Sequence, residues 1–236
     1  MAHDGQNQIL TETTIVDDLL GKTEAAIAPV EALLDKAKDA VRASVVIKGR
    51  VSGAAVEANQ TACHGLAWLA TYVESLRQMQ NWAKRLDEDG KFGEMEQLIH
   101  QIAFGEYLHQ LAGGIPMNQG EFLRPADLGL GWDALGGFQC EEVQALMAKG
   151  NTQGARTRLV ELMQERSAEA TFGNSGLDEE LEMIRDQFRR FSTEKVLPYA
   201  HEWHLNDELI PMEIIDELAE MGVFGLTIPE EFGGFG

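Results

Sequence analysis

Residues 177–236 read LDEELEMIRDQFRRFSTEKVLPYAHEWHLNDELIPMEIIDELAEMGVFGLTIPEEFGGFG, and this stretch indicates the fold class of the chain. Its first apolar residues recur at spacings of four and three, which places them on one face of a helix: Leu177, Leu181, Ile184, Phe188 and Phe191. Acidic residues at 178–180 suit the positive amino-terminal end of a helix. The pattern predicts an amphipathic helix that begins near Asp178.

Two prolines divide the rest of this stretch. Pro198 has no amide to donate to the carbonyl four residues earlier, so we expect the helix to bend or stop near Leu197, before an aromatic and histidine-rich turn. Pro211 suits the first position of a second helix, and Gly222 suits a left-handed cap at its end. The buried face of that helix is predicted to contain Ile214, Ile215, Leu218 and Met221.

The order of these features resembles the start of the acyl-CoA dehydrogenase flavoprotein family. The residues that carry the resemblance are a helix ending in VLPYA, then HEWHLNDELIP, a short helix, and the block 222–236 with its PEEFGG motif. The resemblance covers about the last quarter of the chain. It implies the start of an amino-terminal helical domain, which in the family precedes a middle β-domain and a final helical bundle.

The resemblance also implies a chemistry. Family members use FAD to remove two hydrogens from an acyl-CoA thioester and pass the electrons to an electron-transfer flavoprotein, and a homo-oligomer is expected. They bind FAD mainly through the middle domain and a partner subunit, and their glutamate base lies in the final bundle. We therefore assign no catalytic, FAD-binding or metal-binding residue within 1–236, and we expect this chain to be a truncated, inactive piece. The candidate substrate-cleft loop, for which a purely structural role is the alternative, is Pro229, Glu230, Glu231, Phe232, Gly233 and Gly234.

The first 170 residues are predicted to form a helical bundle, followed by a linker at 171–177 and the family-like segment at 178–236. Apolar periodicity and turn residues predict helices over Thr14–Leu20, Thr23–Ala43, Val56–Leu86, about 95–111, Gln139–Lys149 and Thr152–Ala170. Residues 44–47 fit either a continued helix or a short extended piece, and 113–131 is an ordered loop rich in glycine and proline. This front part resembles the helical extension of certain bacterial acyl-CoA dehydrogenases. The predicted fold class is all-α.

Composition narrows the functional classes. The chain has 19 basic and 39 acidic residues, a formal charge of −20, which argues against nucleic acid or an anionic membrane surface as partner. The sequence has no apolar run of membrane-spanning length and no signal-peptide pattern, so a cytoplasmic location is expected. Cys63 and Cys140 stand far apart, which predicts two buried free thiols and no disulfide.

Local motifs add little further chemistry. His201 and His204 flank Glu202-Trp203, but a zinc-protease helix needs HExxH, so polar packing is the favoured interpretation. His64 stands on a bundle helix without the lysine-glycine that accompanies a phosphotransfer histidine. The sequence contains no GxGxxG after a strand, no phosphate-binding P-loop and no GxSxG elbow. Two hypotheses remain: the front of an acyl-CoA dehydrogenase, or a non-catalytic helical interaction module.

Overall fold

A computed structural model describes residues 15–167 and 172–236. The chain divides into two compact units, Met1–Gly176 and Leu177–Gly236. Helix accounts for 72% of the structure, and the sheets found among the described residues are two short antiparallel hairpins. The predicted all-α class is therefore confirmed. The predicted linker at 171–177 spans the division between the units, and Thr171 lies outside the described residues.

The first unit is a helical bundle with two small hairpins. Its described helices are α1 Leu19–Val45, α2 Gly53–Ala58, α3 Gln60–Glu88, α4 Glu94–Gly113, α5 Glu141–Lys149 and α6 Gln153–Glu165. One hairpin pairs β1 (Val46–Ile47) with β2 (Arg50–Val51), and the other pairs β3 (Ile115–Pro116) with β4 (Phe122–Leu123). Two 3₁₀ turns follow β4, at Pro125–Leu128 and Trp132–Gln139. The expected loop at 113–131 is thus ordered around a hairpin.

The amino-terminal helix corrects the sequence prediction. Two helices separated by a gap near Gly21 were expected here. The structure instead has a single helix, α1, over Leu19–Val45. The helix is continuous there because the amide of Lys22 donates to the carbonyl of Asp18 and the hydroxyl of Thr23 donates to that of Leu19. Gly21 leaves room for the Asp18 carboxylate, which a Cβ would meet at 2.5 Å. Thr14, the start of the first predicted helix, lies outside the described residues.

Two other predicted elements are modified. The helix expected over Val56–Leu86 is interrupted at Asn59, and the side chain of Ser52 caps α2 by accepting from the amide of Ala55 at 3.3 Å. The ambiguous run at 44–47 takes both alternatives in turn, since α1 ends at Val45 and β1 starts at the next residue. The helix predicted to Ala170 ends at Glu165.

The core of the first unit lies where α1 and α4 meet α3 and α5, and α6 packs on α4. The broad apolar face predicted on α3 is buried through Leu69, Val73 and Leu76. On the same helix Tyr72 stacks on Tyr107 of α4, with ring centroids 4.3 Å apart. The largest fully buried apolar side chains of the unit are Phe104, Leu76, Leu86, Met95, Leu98, Leu108 and Leu146.

The second unit contains α7 (Glu179–Phe191), α8 (Leu197–Leu205) and α9 (Met212–Glu220). The predicted start of α7 is confirmed, because Asp178 accepts from the amide of Leu181 at 2.9 Å as an N-cap. The prediction of a turn after Pro198 is wrong. A π-turn at Ser192–Val196 leads directly into α8, and Pro198 lies in the first turn of that helix, where its amide is not needed.

The second unit lacks the buried core of the first. No residue in 177–236 is buried, and many large apolar side chains are exposed. Gly222 adopts φ 77° after α9, so the predicted left-handed cap is confirmed. Among the residues that the structure describes, no helix has both the length and the apolar composition needed to cross a bilayer.

Candidate functional site

The candidate cleft loop is closed on itself by backbone hydrogen bonds. The amides of Phe232 and Gly234 donate to the carbonyl of Pro229, at 2.9 and 3.2 Å, and that of Gly233 donates to Glu230. The amide of Phe235 then donates to the carbonyl of Gly225, 2.9 Å away. A last bond joins the amide of residue 236 to the carbonyl of residue 228. The loop therefore folds back onto the turn that follows α9 and has a defined shape.

The glycines of this segment meet two separate requirements. Gly222 and Gly233 adopt positive φ values of 77° and 84°, which cost little only in glycine. Gly234 permits close approach, since a Cβ there would overlap the carbonyl of Ile228. The ring of Phe235 likewise lies against Gly222 and Gly225, where an added Cβ would meet ring carbons at 3.0 and 2.8 Å. Positive φ and close approach thus account for the four glycines at 222, 225, 233 and 234.

The side chains of the loop project outward. Phe232 is 75% exposed, and Phe224 on the neighbouring turn is 60% exposed. Glu230 and Glu231 are also exposed, and no ion pair to either occurs among the described residues. The loop thus offers an apolar surface with two solvated carboxylates, and nothing in its geometry makes either one a general base.

The HEWH stretch lies on α8. His201 and His204 are both exposed, while Tyr199 and Trp203 stack with ring centroids 6.0 Å apart. Within the described ranges, no three His, Cys, Asp or Glu side chains come together as a metal site requires. A salt bridge of 3.2 Å joins Lys195, in the π-turn, to Glu217 on α9. The polar groups of this unit are arranged at the surface.

The histidines of the first unit make structural hydrogen bonds. The Nε2 atom of His64 accepts from the indole N–H of Trp68 at 3.0 Å, one turn further along α3. His109 Nε2 lies 2.8 Å from the carbonyl of Met147, to which it can donate across to α5. Cys63 and Cys140 are free, but both are only half-buried, which corrects the expectation of two buried thiols. Each occupies the edge of the core cluster.

His100 is a buried polar group between helices. Its side chain is completely buried on α4, among the rings of Trp82, Phe92 and Phe104. Its Nε2 lies 3.1 Å from the hydroxyl of Thr23, which itself donates to α1, so the histidine donates this hydrogen bond. Its Nδ1 has no hydrogen-bond partner among the residues that the structure describes. Burial lowers the pKa of His100 to about 3, so the ring is neutral at physiological pH.

Comparisons with known proteins support the family resemblance of residues 177–236. Residues 178–236 match the family described as acyl-CoA dehydrogenase, N-terminal domain. The chain is 59% identical over 227 residues to (2S)-methylsuccinyl-CoA dehydrogenase from Cereibacter sphaeroides, which covers 96% of this chain and 41% of that protein.

Two other CoA-ester dehydrogenases match a shorter part of the chain. Glutaryl-CoA dehydrogenase from Desulfococcus multivorans is 37% identical over 60 residues, 25% of this chain and 15% of that protein. Benzylmalonyl-CoA dehydrogenase from Aromatoleum aromaticum (strain DSM 19018 / LMG 30748 / EbN1) is 40% identical over 60 residues, 25% of this chain and 16% of that protein.

The predicted family resemblance is therefore confirmed: residues 178–236 are similar to the amino-terminal domain of acyl-CoA dehydrogenases, and 96% of the chain is similar to one such enzyme. It spans about two fifths of the length of the methylsuccinyl-CoA dehydrogenase that it matches. Its similarity to that protein extends through the first unit as well as the second.

Proposed function

We propose that this chain is the amino-terminal part of an FAD-dependent acyl-CoA dehydrogenase. The reaction would be α,β-dehydrogenation of an acyl-CoA thioester, with methylsuccinyl-CoA as substrate and mesaconyl-CoA as product. The observation that supports this choice is identity of 59% across both units, whereas the glutaryl-CoA and benzylmalonyl-CoA enzymes match only 25% of the chain. The similarity to the methylsuccinyl-CoA enzyme thus includes the helical bundle of the first unit.

We expect that the second unit does not bind FAD by itself, and its closing segment supports this expectation. All five amides from Phe232 to Gly236 donate to carbonyls of the same segment, so none is free for a phosphate or a flavin ring. In this family the flavin would accept the hydride from the β-carbon. We assign no residue of this chain to that step or to removal of the α-proton, and we expect residues 1–236 alone to bind neither FAD nor acyl-CoA.

Within this proposal, the loop at 229–234 lines the acyl cleft. Phe232 and Phe224 would contribute apolar surface for the acyl chain, held in place by the backbone bonds that close the loop. The partners would be an acyl-CoA, an electron-transfer flavoprotein and further copies of the same subunit, in the cytoplasm. These are the functions of a whole enzyme.

A chimera tests the proposal directly. Residues 1–236 replace the aligned region of the Cereibacter sphaeroides enzyme, and the purified product is assayed with an artificial electron acceptor. We expect a yellow protein that oxidises (2S)-methylsuccinyl-CoA in preference to glutaryl-CoA. The unmodified enzyme, prepared in parallel, controls for folding and flavin loading.

The competing interpretation is a non-catalytic helical interaction module. A folded chimera that stays colourless and inert, while the parent enzyme is active, would favour that interpretation. Tight FAD binding by residues 1–236 alone, measured by calorimetry, would instead contradict our placement of the flavin site outside this chain.

A further inference from the structure

An apolar pocket of about 460 Å³ opens on the first unit. Its walls come from the end of α4, the turn after β4 and the start of the second 3₁₀ segment. Apolar lining is supplied by Ala112, Pro125, Leu130 and Leu135. The volume falls within the range of about 300–1,000 Å³ that is usual for small-molecule sites.

Hydrogen bonds fix the walls of this pocket. The amide of Arg124 donates to the carboxylate of Asp127 at 2.7 Å, and the amide of Leu130 donates to the carbonyl of Pro125 at 3.0 Å. From α1, the ammonium group of Lys36 donates to the carbonyl of Ala134, also at 3.0 Å. The first two bonds lie within residues 124–130, around the first 3₁₀ segment, and the third connects the second 3₁₀ segment to α1. The pocket is therefore part of the folded unit and does not depend on a ligand to form.

Arg124 supplies a cation to the lining of the pocket. Its guanidinium carbon lies 5.8 Å from the centroid of the Phe122 ring, and across the described residues no carboxylate forms an ion pair with this group. In a chain of formal charge −20, an arginine left without an acidic partner beside an apolar pocket is suited to an anionic ligand.

The mouth of the pocket has an aromatic wall. Trp132 lines it and is 88% exposed, so most of its indole surface contacts water. An acid lies nearby as well, since a Cβ on Gly131 would meet Asp133 Oδ1 at 2.5 Å. This carboxylate and the net negative charge oppose a dianion such as phosphate more strongly than a monoanion.

We propose that this pocket binds a small amphipathic carboxylate. The carboxylate accepts hydrogen bonds from the Arg124 guanidinium, whose planar fork matches two carboxylate oxygens. The apolar part of the ligand lies against Pro125, Leu130 and Leu135 and is covered by the indole of Trp132. This proposal does not depend on the proposed dehydrogenase activity.

Three eight-carbon probes test the proposal by calorimetry on residues 1–236: octanoate, 1-octanol and octylammonium. They share the same apolar chain and differ in the charge of the head group. We expect octanoate to bind one site about tenfold more tightly than 1-octanol, because the charged hydrogen bonds add to the same apolar burial. Octylammonium should bind more weakly than octanoate, because Arg124 repels its ammonium group.

Variants separate the charge from the apolar wall. Arg124→Gln should abolish the tenfold advantage of octanoate and leave 1-octanol unchanged, while Arg50→Gln, an exposed arginine on the other hairpin, should change neither. Trp132→Ala should weaken octanoate and 1-octanol alike. Asp133→Asn should strengthen octanoate only, because it removes a like charge from the rim.

The proposal is overturned if octanoate and 1-octanol bind the wild-type chain equally, or if Arg124→Gln leaves octanoate binding intact. It is also overturned if no probe binds. If Trp132→Ala then converts a dimer to a monomer, the pocket is part of an interface between copies. Circular dichroism of each variant confirms that the fold is retained.

Discussion

His100 shows how one buried side chain can make the stability of the bundle depend on pH. Its pKa is about 3 in the folded chain, against an ordinary value of 6.5 for a solvated histidine, so the unfolded chain binds the proton first as the pH falls. The stabilising contribution of the neutral ring is complete above pH 6.5 and decreases as the pH falls from there toward 3. Each pH unit between 6.5 and 3 should lower the free energy of unfolding by roughly 1.4 kcal/mol.

We therefore expect His100→Gln to flatten the dependence of the free energy of unfolding on pH. Glutamine can still donate to the hydroxyl of Thr23 but does not titrate. Urea unfolding of both proteins between about pH 7 and pH 4.5 measures the difference, which should reach about 2–3 kcal/mol at the lower pH. His64→Gln, at an exposed position, should keep the wild-type slope. Equal slopes for His100→Gln and wild type would rule out the buried ring as the cause.

Adjacent glycines in the cleft loop predict different costs on substitution. Gly233 has φ 84° with open space around it, so Gly233→Ala should cost only about 1 kcal/mol of backbone strain. Gly234→Ala would press a methyl group into the carbonyl of Ile228, and we expect it to open the loop.

Hydrogen exchange at the amide of Phe235, which donates to Gly225 when the loop is closed, distinguishes the two glycine variants. Exchange should accelerate strongly for Gly234→Ala and weakly for Gly233→Ala. Gly136→Ala, in an open position of the first unit, serves as the control. Protection that survives Gly234→Ala would show that the loop tolerates the side chain.

At the level of elements, two glycines set how closely α4 and α5 approach. A Cβ on Gly105 would meet the amide of Asn151 at 2.7 Å, and one on Gly150 would meet the carbonyl of Gln101 at 2.6 Å. The amide side chain of Gln101 donates to the carbonyl of Gly150 at 3.2 Å, and that of Asn151 donates to Glu106 at 2.6 Å. The backbones of the two segments are therefore in direct contact.

Gly105→Ala should destabilise the bundle by about 1–3 kcal/mol, because backbone atoms cannot move aside as a flexible side chain can. Gly113→Ala is a matched control on the same helix, where an added Cβ meets nothing within 4 Å and should be neutral or stabilising by up to about 1 kcal/mol. Chemical denaturation of both variants measures the contrast. Similar effects at the two positions would mean that helix propensity dominates and the close contact contributes little.

Across the whole molecule, the two units differ in how much apolar surface they cover. The first buries two hydrophobic clusters, whereas the second exposes large apolar side chains such as Leu209, Phe224, Phe232 and Phe235. Exposed apolar surface of this extent favours association. The net charge of −20 opposes it, because like-charged molecules repel one another until salt screens them.

We therefore predict that residues 1–236 self-associate in a manner that increases with protein and salt concentration. Light scattering after size-exclusion chromatography measures the mass. Replacing both Phe224 and Phe232 with serine should reduce it, while Val51→Ser, at an exposed position of the first unit, should not. A strictly monomeric chain at high salt would contradict this expectation.

Much of the candidate site could be predicted from sequence because its determinants are local. Gly222 and Gly233 have left-handed backbones that glycine adopts at little cost, and the PEEFGG motif closes through hydrogen bonds between residues at most five apart. The Arg124 pocket could not be predicted in this way. It requires the end of α4 and two later 3₁₀ segments to meet, and no local pattern specifies that meeting.

Local sequence patterns specify the all-α class, the apolar face of α3 and the start of α7 at its Asp178 cap, because helix periodicity and capping depend on residues within a few turns. The burial of His100 and the close contact between Gly105 and Gly150 arise only when the helices pack together. These features depend on which side chains from distant parts of the chain surround a position, and a polar residue is buried only where a partner such as Thr23 satisfies part of its hydrogen bonding.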